Sequence, residues 1–468
     1  MSVFDTVVHL VYLAAAVCFV LGLHEMNSPA TARRGNRLSA AGMAVAVATT
    51  AVVIIHDGTI TATGWAVLLT GGALGAGVGL YAARSVQMTA MPQLVSVFNA
   101  VGGGAAALLA VNDLVQSGHV IPRTAVTGAL DIIIGGVTFS GSVIAAGKLQ
   151  GLVPGRPIVF PGARLANPLI AALFTGAAVW LIAQPKSVVP LVLVTVAALA
   201  FGVTMVLPIG GADMPVVISL LNAFTGTAVA MAGFVLGNTV LIIAGALVGA
   251  SGSILTKLMA DAMNRSIGNI IIGGFGTGDS AVPVGTAGAS VREVAADDVA
   301  IQLAYASKVI IVPGYGLAAA QAQHELAGLG ELLESRGIEV DYAIHPVAGR
   351  MPGHMNVLLA EANVPYPLLK EMDEVNPEFA RADVALVVGA NDVTNPAARR
   401  PGNAVSGMPI LDVDRAKSVI VIKRSMGHGY AGVDNELYTD PKTGMFFSDA
   451  KKGLAALTAA VKTLVGTS

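Results

Sequence analysis

The sequence predicts a polytopic α-helical membrane domain of about nine helices, followed by an α/β domain built on a doubly wound, Rossmann-like parallel sheet. Three observations carry that expectation. Apolar runs long enough to cross a bilayer, roughly 17–25 residues, recur as far as Met259. Only 12% of residues are charged against 54% hydrophobic, with a mean hydropathy of +0.72, whereas soluble domains carry roughly 25% charged residues. Beyond residue 290 the charge density rises, and short β-branched runs alternate with helical patterns. The expected division is a membrane domain over 1–265, a flexible linker over 266–292 and a sheet domain over 293–468.

The apolar runs are centred near Ala14, Val47, Gly72, Gly103, Gly136, Phe174, Ala198, Phe224 and Ala246. The first, over 4–23, lacks a basic leader and a small-residue cleavage site, so it reads as a span. An odd number of spans puts the two ends of the chain on opposite sides. One set of loops carries Arg33, Arg34, Arg37, Arg84, Lys148, Arg156, Arg164, Lys257 and Arg265; the other has only Arg123 and Lys186. The positive-inside rule then predicts a cytoplasmic sheet domain and an external N-terminus. A net charge of −2 argues against a nucleic-acid footprint. Cys18 is the only cysteine, which leaves no disulfide framework and no cysteine metal site.

Small residues recur at four-residue spacing at Gly71, Gly75 and Gly79, and again at Gly245, Gly249 and Ser253, a pattern that suits close helix packing. Asn99, Asp131 and Asn222 fall inside the fourth, fifth and eighth spans, where polar groups are costly. They read either as interhelical hydrogen bonds or as parts of a hydrated ion path. Asp213 lies in PIGGADMP at the cytoplasmic edge of the eighth span. His9, His24, His56 and His119 all flank spans, so no span has a centred histidine to titrate near neutral pH.

In the second half, 273–290 is rich in Gly, Ala, Ser and Thr and reads as a tether. A helix is expected over 294–306, strands over 308–312, 338–344, 384–388, 410–413 and 419–422, and a crossover helix over 317–336. The first strand runs into PGYGLAAAQAQ, a tight glycine turn and helix start able to receive a pyrophosphate. Ligand in such a sheet sits at the loops leaving the C-terminal strand ends. Asp341 is near the distance at which an NAD-selective fold places its ribose acid, but it falls mid-strand. The loops offer instead Arg350 in HPVAGRMPGH, the short polar groups of GANDVTNP, and the cluster Lys423-Arg424-Ser425 in KRSMGHGY. Those cations suit a 2′-phosphate, and so NADP(H) over NAD(H).

PGYGLAAAQAQ, HPVAGRMPGHMNVLLAEANVPY, EMDEVNPEFA, GANDVTNPAA and KRSMGHGYAGVDN, with GGADMPVV, GALVGASGSIL and MNRS in the membrane half, together resemble the β subunits of proton-translocating NAD(P) transhydrogenases over essentially the whole chain. The resemblance implies a multi-pass subunit of the cell membrane that binds NADP(H), with NAD(H) on a partner α subunit and a dimer of αβ units. It implies direct, Re/Si-specific hydride transfer between nicotinamides, coupled to inward proton movement, with no catalytic acid, base or metal from the protein. The implied nucleotide contacts are Tyr315, Gly316 and Leu317; Val347, Ala348, Gly349, Arg350, Met351 and Pro352; Gly389, Ala390, Asn391, Asp392 and Val393; Gly407 and Met408; Lys423, Arg424, Ser425, Met426, Gly427, His428, Gly429 and Tyr430, a lid; and Asp449 and Ala450. The implied proton path includes Asn99, Asp213 and Asn222. Many relatives carry a membrane histidine at the position of Asn99, and others at that of Asn222. With asparagine at both, either the partner supplies the titrating group, which is the expectation, or the path runs through water and these three residues. Two other readings compete: a transporter or channel gated by a cytoplasmic nucleotide-binding domain, and a membrane-anchored dehydrogenase. The second would need a substrate domain with a catalytic His or Lys, for which the chain has no room.

Overall fold

The computed structural model describes residues 3–26, 29–58, 60–117, 120–154, 158, 162–210, 213–263, 267–268, 270, 291–349, 353–402, 405–429, 431 and 433–466. The chain forms two compact units, Met1–Lys257 and Leu258–Ser468. The tether expected over 273–290 lies outside the described residues.

Among the described residues, nine helices are long and apolar enough to cross a membrane. They are α1 (Val3–Glu25), α2 (Pro29–Asp57), α3 (Ala62–Ser85), α4 (Met91–Gln116), α5 (Pro122–Leu149), α6 (Ala163–Ala183), α7 (Val188–Val206), α8 (Met214–Leu236) and α9 (Thr239–Ala262). Their ends follow local chemistry. Proline occupies the first turn of α4, α5 and α8, where no helical N–H is lost. Gly237, at φ +65°, stops α8, and the Asn238 side chain then accepts from the Val240 and Leu241 amides to start α9.

Helix α5 is the hub of the membrane unit, packed on α4, α6, α7 and α8. Glycine makes this possible. A Cβ on Gly135 would lie 2.5 Å from the Gly103 carbonyl oxygen of α4, and one on Gly226 of α8 would lie 2.3 Å from the Gly249 nitrogen of α9. The Gly245–Gly249 stripe is therefore a helix contact. The Gly71–Gly79 stripe is not one among the described residues: nothing lies within 4 Å of a Cβ at any of its glycines, and α3 buries no residue.

The second unit holds a six-stranded parallel sheet in the order β3-β2-β1-β4-β5-β6. The strands are β1 (Lys308–Pro313), β2 (Glu339–Ile344), β3 (Leu369–Glu371), β4 (Val384–Val388), β5 (Ser418–Lys423) and β6 (Thr443–Phe447). The order reverses between β1 and β4, which creates the crevice of a doubly wound sheet. β1 and β4 are buried along their whole length, as near-continuous Val, Ile and Leu demand. The helices are α10 (Ala296–Ala304), α11 (Tyr315–Ala319), α12 (Gln323–Glu334), α13 (His354–Glu361), α14 (Met372–Val375) and α15 (Ala450–Gly466).

Three local expectations are corrected. The crossover after β1 is not one helix: α11 and α12 are separated at Ala320–Ala322, where Gln321 adopts φ +53°. The run 410–413 is not a strand. Its amides bond to 3₁₀ turns outside the sheet, Leu411 N–H to the Val393 carbonyl at 2.9 Å and Asp412 N–H to Asn376 Oδ1 at 3.0 Å, and a further 3₁₀ turn starts at Val413. Buried Ile410, Leu411 and Val413 mimic a core strand without sheet partners. Two strands, β3 and β6, lie where none is expected, one only three residues long and one opening Thr-Gly.

Candidate functional site

The C-terminal ends of β1, β2, β4, β5 and β6 and the segments that leave them carry the expected nucleotide contacts, apart from Gly407 and Met408. The β1 and β4 turns are locked together backbone to backbone. Gly314 N–H donates to the Val388 carbonyl and Gly316 N–H to the Gly389 carbonyl, each at 2.9 Å. A Cβ on Gly314 would lie 2.4 Å from the Ala390 nitrogen, and one on Gly389 2.4 Å from the Gly316 Cα. Gly389 also sits at φ +70°. These glycines therefore set the distance between two loops at the switch point. Tyr315 and Leu317 open α11, with Leu317 buried in the core.

The loop after β2 is anchored by His345, which is buried. Its Nδ1 accepts from the Val347 amide at 3.2 Å, so Nε2 carries the proton and donates to the Pro409 carbonyl at 2.8 Å. Burial pushes the imidazole down to about 4, against the Pro409 bond, which acts to raise it. Val347 and Ala348 follow, and Gly349, at φ +105°, lies so close to His354 that a Cβ there would be 2.4 Å from Nδ1. Arg350, Met351 and Pro352 lie outside the described residues, as does Tyr430. Asp341 is mid-strand in β2 and pairs with Lys308 of β1 at 3.2 Å, so it is occupied inside the sheet.

The loops after β4 and β5 form one polar knot. With its amide turned to satisfy both ends, Asn391 donates to the Tyr438 hydroxyl at 2.9 Å and accepts from Lys423 Nζ at 3.2 Å and the Gly429 amide at 2.6 Å. The Asn391 backbone carbonyl accepts from Asn435 Nδ2 at 2.9 Å. Asp392 accepts from the Ala431 amide at 3.0 Å. Lys423 also donates to the Gly427 carbonyl, and its ammonium stands 4.6 Å from the centroid of the Tyr438 ring. Burial pushes the Lys423 ammonium below its usual range, while Asp392 and Asp434 work to raise it. Burial likewise holds the Tyr438 phenol well above its usual value. Asn435 and Tyr438 were absent from the expected site; Tyr438 lies beyond the lid motif, and only its phenol at the end of a polar stretch hints at a role.

Arg424, Ser425, Met426, Gly427 and His428 are exposed, with His428 Nδ1 3.1 Å from Asp434. Arg424 forms no ion pair among the described residues. The adjacent cations thus diverge, Lys423 facing inward to the knot and Arg424 outward. Asp449 Oδ1 accepts from the Lys451 amide at 3.1 Å at the head of α15, beside the β5 end, where Ser448 N–H reaches the Lys423 carbonyl at 3.1 Å; Ala450, the first residue of α15, is buried. Gly407 and Met408 border a separate cleft of about 710 Å³ with Met372, Asn376, Arg399 and Pro409. Arg399 is fixed there by Asp412 and Asp414 at 2.6 and 2.7 Å. No group of three or more His, Cys, Asp or Glu among the described residues could hold a metal ion.

In the membrane unit, Asn99 of α4 donates to the Ile218 carbonyl of α8 at 3.3 Å, and Thr225 of α8 donates to the Asn99 carbonyl at 3.4 Å. Asn222 lies between Ile218 and Thr225 at helical spacing, on the flank of α8 that meets Asn99. Asp213 is apart from them, at the N-cap of α8.

Fold and loops together define a class: a polytopic membrane protein that carries a Rossmann-like domain on the same chain. A family model described as NAD(P) transhydrogenase beta subunit matches residues 8–460. The NAD(P) transhydrogenase subunit beta of Rhodospirillum rubrum is 50% identical over 452 residues, which cover 94% of this chain and 96% of that protein. The same protein from a named strain of that species matches to the same extent. The chain belongs to the NAD(P) transhydrogenase beta-subunit family. It is therefore one subunit of an enzyme that uses nicotinamide nucleotides, with an alpha subunit as its partner.

Proposed function

We propose that this chain binds NADP(H) at the C-terminal ends of β1, β2, β4 and β5, and that its alpha partner brings NAD(H) to it for direct, Re/Si-specific hydride transfer coupled to inward proton movement. The observation that carries the reading is Arg424, an exposed guanidinium with no ion pair among the described residues, at the end of a buried strand, with Ser425 beside it. A 2′-phosphate needs such an unspent fork and a hydroxyl. The locked glycine turns also fit, because they hold the loops after β1 and β4 together at the switch point, where a dinucleotide crosses such a sheet. Asp341, committed to Lys308, offers nothing to an NAD ribose.

The nicotinamide of a bound nucleotide supplies the redox chemistry. The chain's own residues bind and orient it. Arg424 and Ser425 receive the 2′-phosphate, and Gly314–Leu317 and Gly389–Val393 line the crevice. Lys423, through Asn391, Gly427 and Tyr438, ties the segment 424–429 to the loop after β4. That segment then acts as a lid whose closure is set by a few hydrogen bonds. The N-terminus is external and the sheet domain cytoplasmic, on the loop charges; the working enzyme is a dimer of αβ units that regenerates NADPH. The test is a vesicle assay with both subunits. During reduction of an NADP analogue by NADH, the compartment that receives protons should acidify; hydride exchange with no gradient would remove the proton coupling from the proposal.

A further inference from the structure

The polar side chains of α4 and α5 are not all spent on helix packing. Asp131 of α5 is fully buried, and neither carboxyl oxygen has a hydrogen-bond partner among the described residues. Its place on the helix is defined by its neighbours. Gly128, three residues before it, faces Leu114 of α4; Gly135, four residues after it, faces Gly103 and Ala107 of α4. Asp131 therefore lies on the α5 flank that meets α4.

The same flank continues through Thr138 and Ser142, both fully buried. Ser142 is eleven residues beyond Asp131, close to three whole turns and about 16 Å along the axis. The Ser142 hydroxyl is also unpartnered, while its carbonyl accepts from the Ser96 hydroxyl of α4 at 3.2 Å. One turn further along α4, Gln93 donates to the Leu149 carbonyl at 3.3 Å and leaves its own buried Oε1 unpaired. In the last turn of α5, Lys148 donates to the Leu207 and Ile209 carbonyls at 2.5 and 2.7 Å, in the segment that leads to Asp213. Three buried side chains with unspent polar atoms thus line one helix seam.

Ordinary packing does not account for them, because a buried polar group without a partner costs free energy that an apolar residue would not. Asp131 is also singular in charge. The other ionisable residues of α4–α8 are Asp113, Arg123, Lys148 and Arg164, each in the first or last turn of its helix; α7 and α8 carry none.

We propose that Asp131 is the proton-binding group of the membrane path, and that Ser142 and Gln93, the other groups of this flank with unspent polar atoms, serve it. This rests on the proton-coupled reading above and replaces the expectation that the partner supplies the titrating group. A proton adds to one carboxylate oxygen from one end of the seam and leaves from the same group toward the other. No other bond is made or broken, and no electron is transferred.

The assembled enzyme in vesicles tests this with Asp131→Asn, Asp131→Glu and Ser142→Ala, reading proton accumulation and hydride exchange separately. Asp131→Asn should cut proton accumulation per hydride by about 100-fold, the lower end of what a positioned acid–base group contributes, with NADPH affinity unchanged. Ser142→Ala should give a smaller loss. Asp131→Glu should retain pumping with a displaced pH profile. Pumping by Asp131→Asn at the wild-type ratio would overturn the assignment. If that variant does not assemble, Asp131→Glu decides alone, and an unchanged pH profile counts against the proposal. A wild-type enzyme that exchanges hydride without moving protons fails the coupling reading and is told apart by its own control.

Discussion

Two polar systems in this chain are built on opposite terms. In the sheet domain, Asn391, Lys423, Asn435 and Tyr438 satisfy one another, and the loops after β4 and β5 are fixed by that mutual saturation. In the membrane unit, Asp131, Ser142 and Gln93 sit along one helix seam with polar atoms that have no partner among the described residues. A saturated network rigidifies what it joins. An unsaturated one keeps binding capacity, at a cost in stability. The difference matches the two proposals: a ligand positioned by the sheet domain calls for a stiff frame, and a proton passing through the helix bundle calls for groups ready to take it up.

The largest expected effect breaks the stiff frame at its narrowest point. Gly389→Val places a β-branched residue at φ +70° and a Cβ 2.4 Å from the Gly316 backbone. It should destabilise the sheet domain by about 4 kcal/mol or more and abolish NADPH binding. Thermal unfolding of the full chain in detergent measures the first, and an unshifted transition would mean that the two turns separate freely.

Next is the ion cluster under the sheet. Burial opposes the Lys308 ammonium, but Glu339, Glu378 and Asp341 outweigh it and hold the charge firmly. Lys308→Met strands Asp341, whose side chain is 9% exposed, and should cost about 3 kcal/mol at neutral pH. The loss should shrink as acid protonates the carboxylates. A constant loss from neutral to acid pH would show that packing of the lysine stem, not charge, is what matters.

His345 allows a signed pH test of comparable or smaller size. Its folded value near 4 lies below the ordinary 6.5, so the unfolded chain takes up a proton that the folded chain refuses. The contribution is complete above pH 6.5 and is lost as pH falls from 6.5 toward 4, amounting to about 3 kcal/mol. His345→Gln should flatten the stability curve over that window; an unaltered slope would contradict the buried, neutral imidazole. The smallest effect expected is from Tyr438→Phe, which removes the hydroxyl bonded to Asn391 but keeps the ring beside Lys423. It should cost about 1 kcal/mol and speed hydrogen exchange in 424–429 more than elsewhere.

The broad architecture was readable because it rests on long periodic signals. Runs of apolar residues announce spans, and β1 and β4 stand out as short Val-rich apolar runs between turns. What escaped was decided by tertiary partners. The apolar 410–413 has the composition of a core strand, yet its amides were taken by Val393 and Asn376. β3 and β6 depend on a neighbouring edge more than on their own residues. Among the candidate ligand residues, the sequence placed Lys423 and Arg424 together as one cationic pair, but strand geometry turns them apart. Asp131 was visible as an intramembrane acid; that its oxygens are unspent is a property only of the packed seam.

The most direct test of the account is nucleotide selectivity of this chain without its partner. Titration of the purified full chain with NADPH and NADH, followed by nicotinamide fluorescence, should show NADPH bound about 100-fold tighter, or ~3 kcal/mol. Arg424→Ala should remove most of that margin by weakening NADPH alone. Equal affinity of the wild-type chain for the two nucleotides, or an equal loss of both in Arg424→Ala, would contradict the assignment of NADP(H) to this subunit.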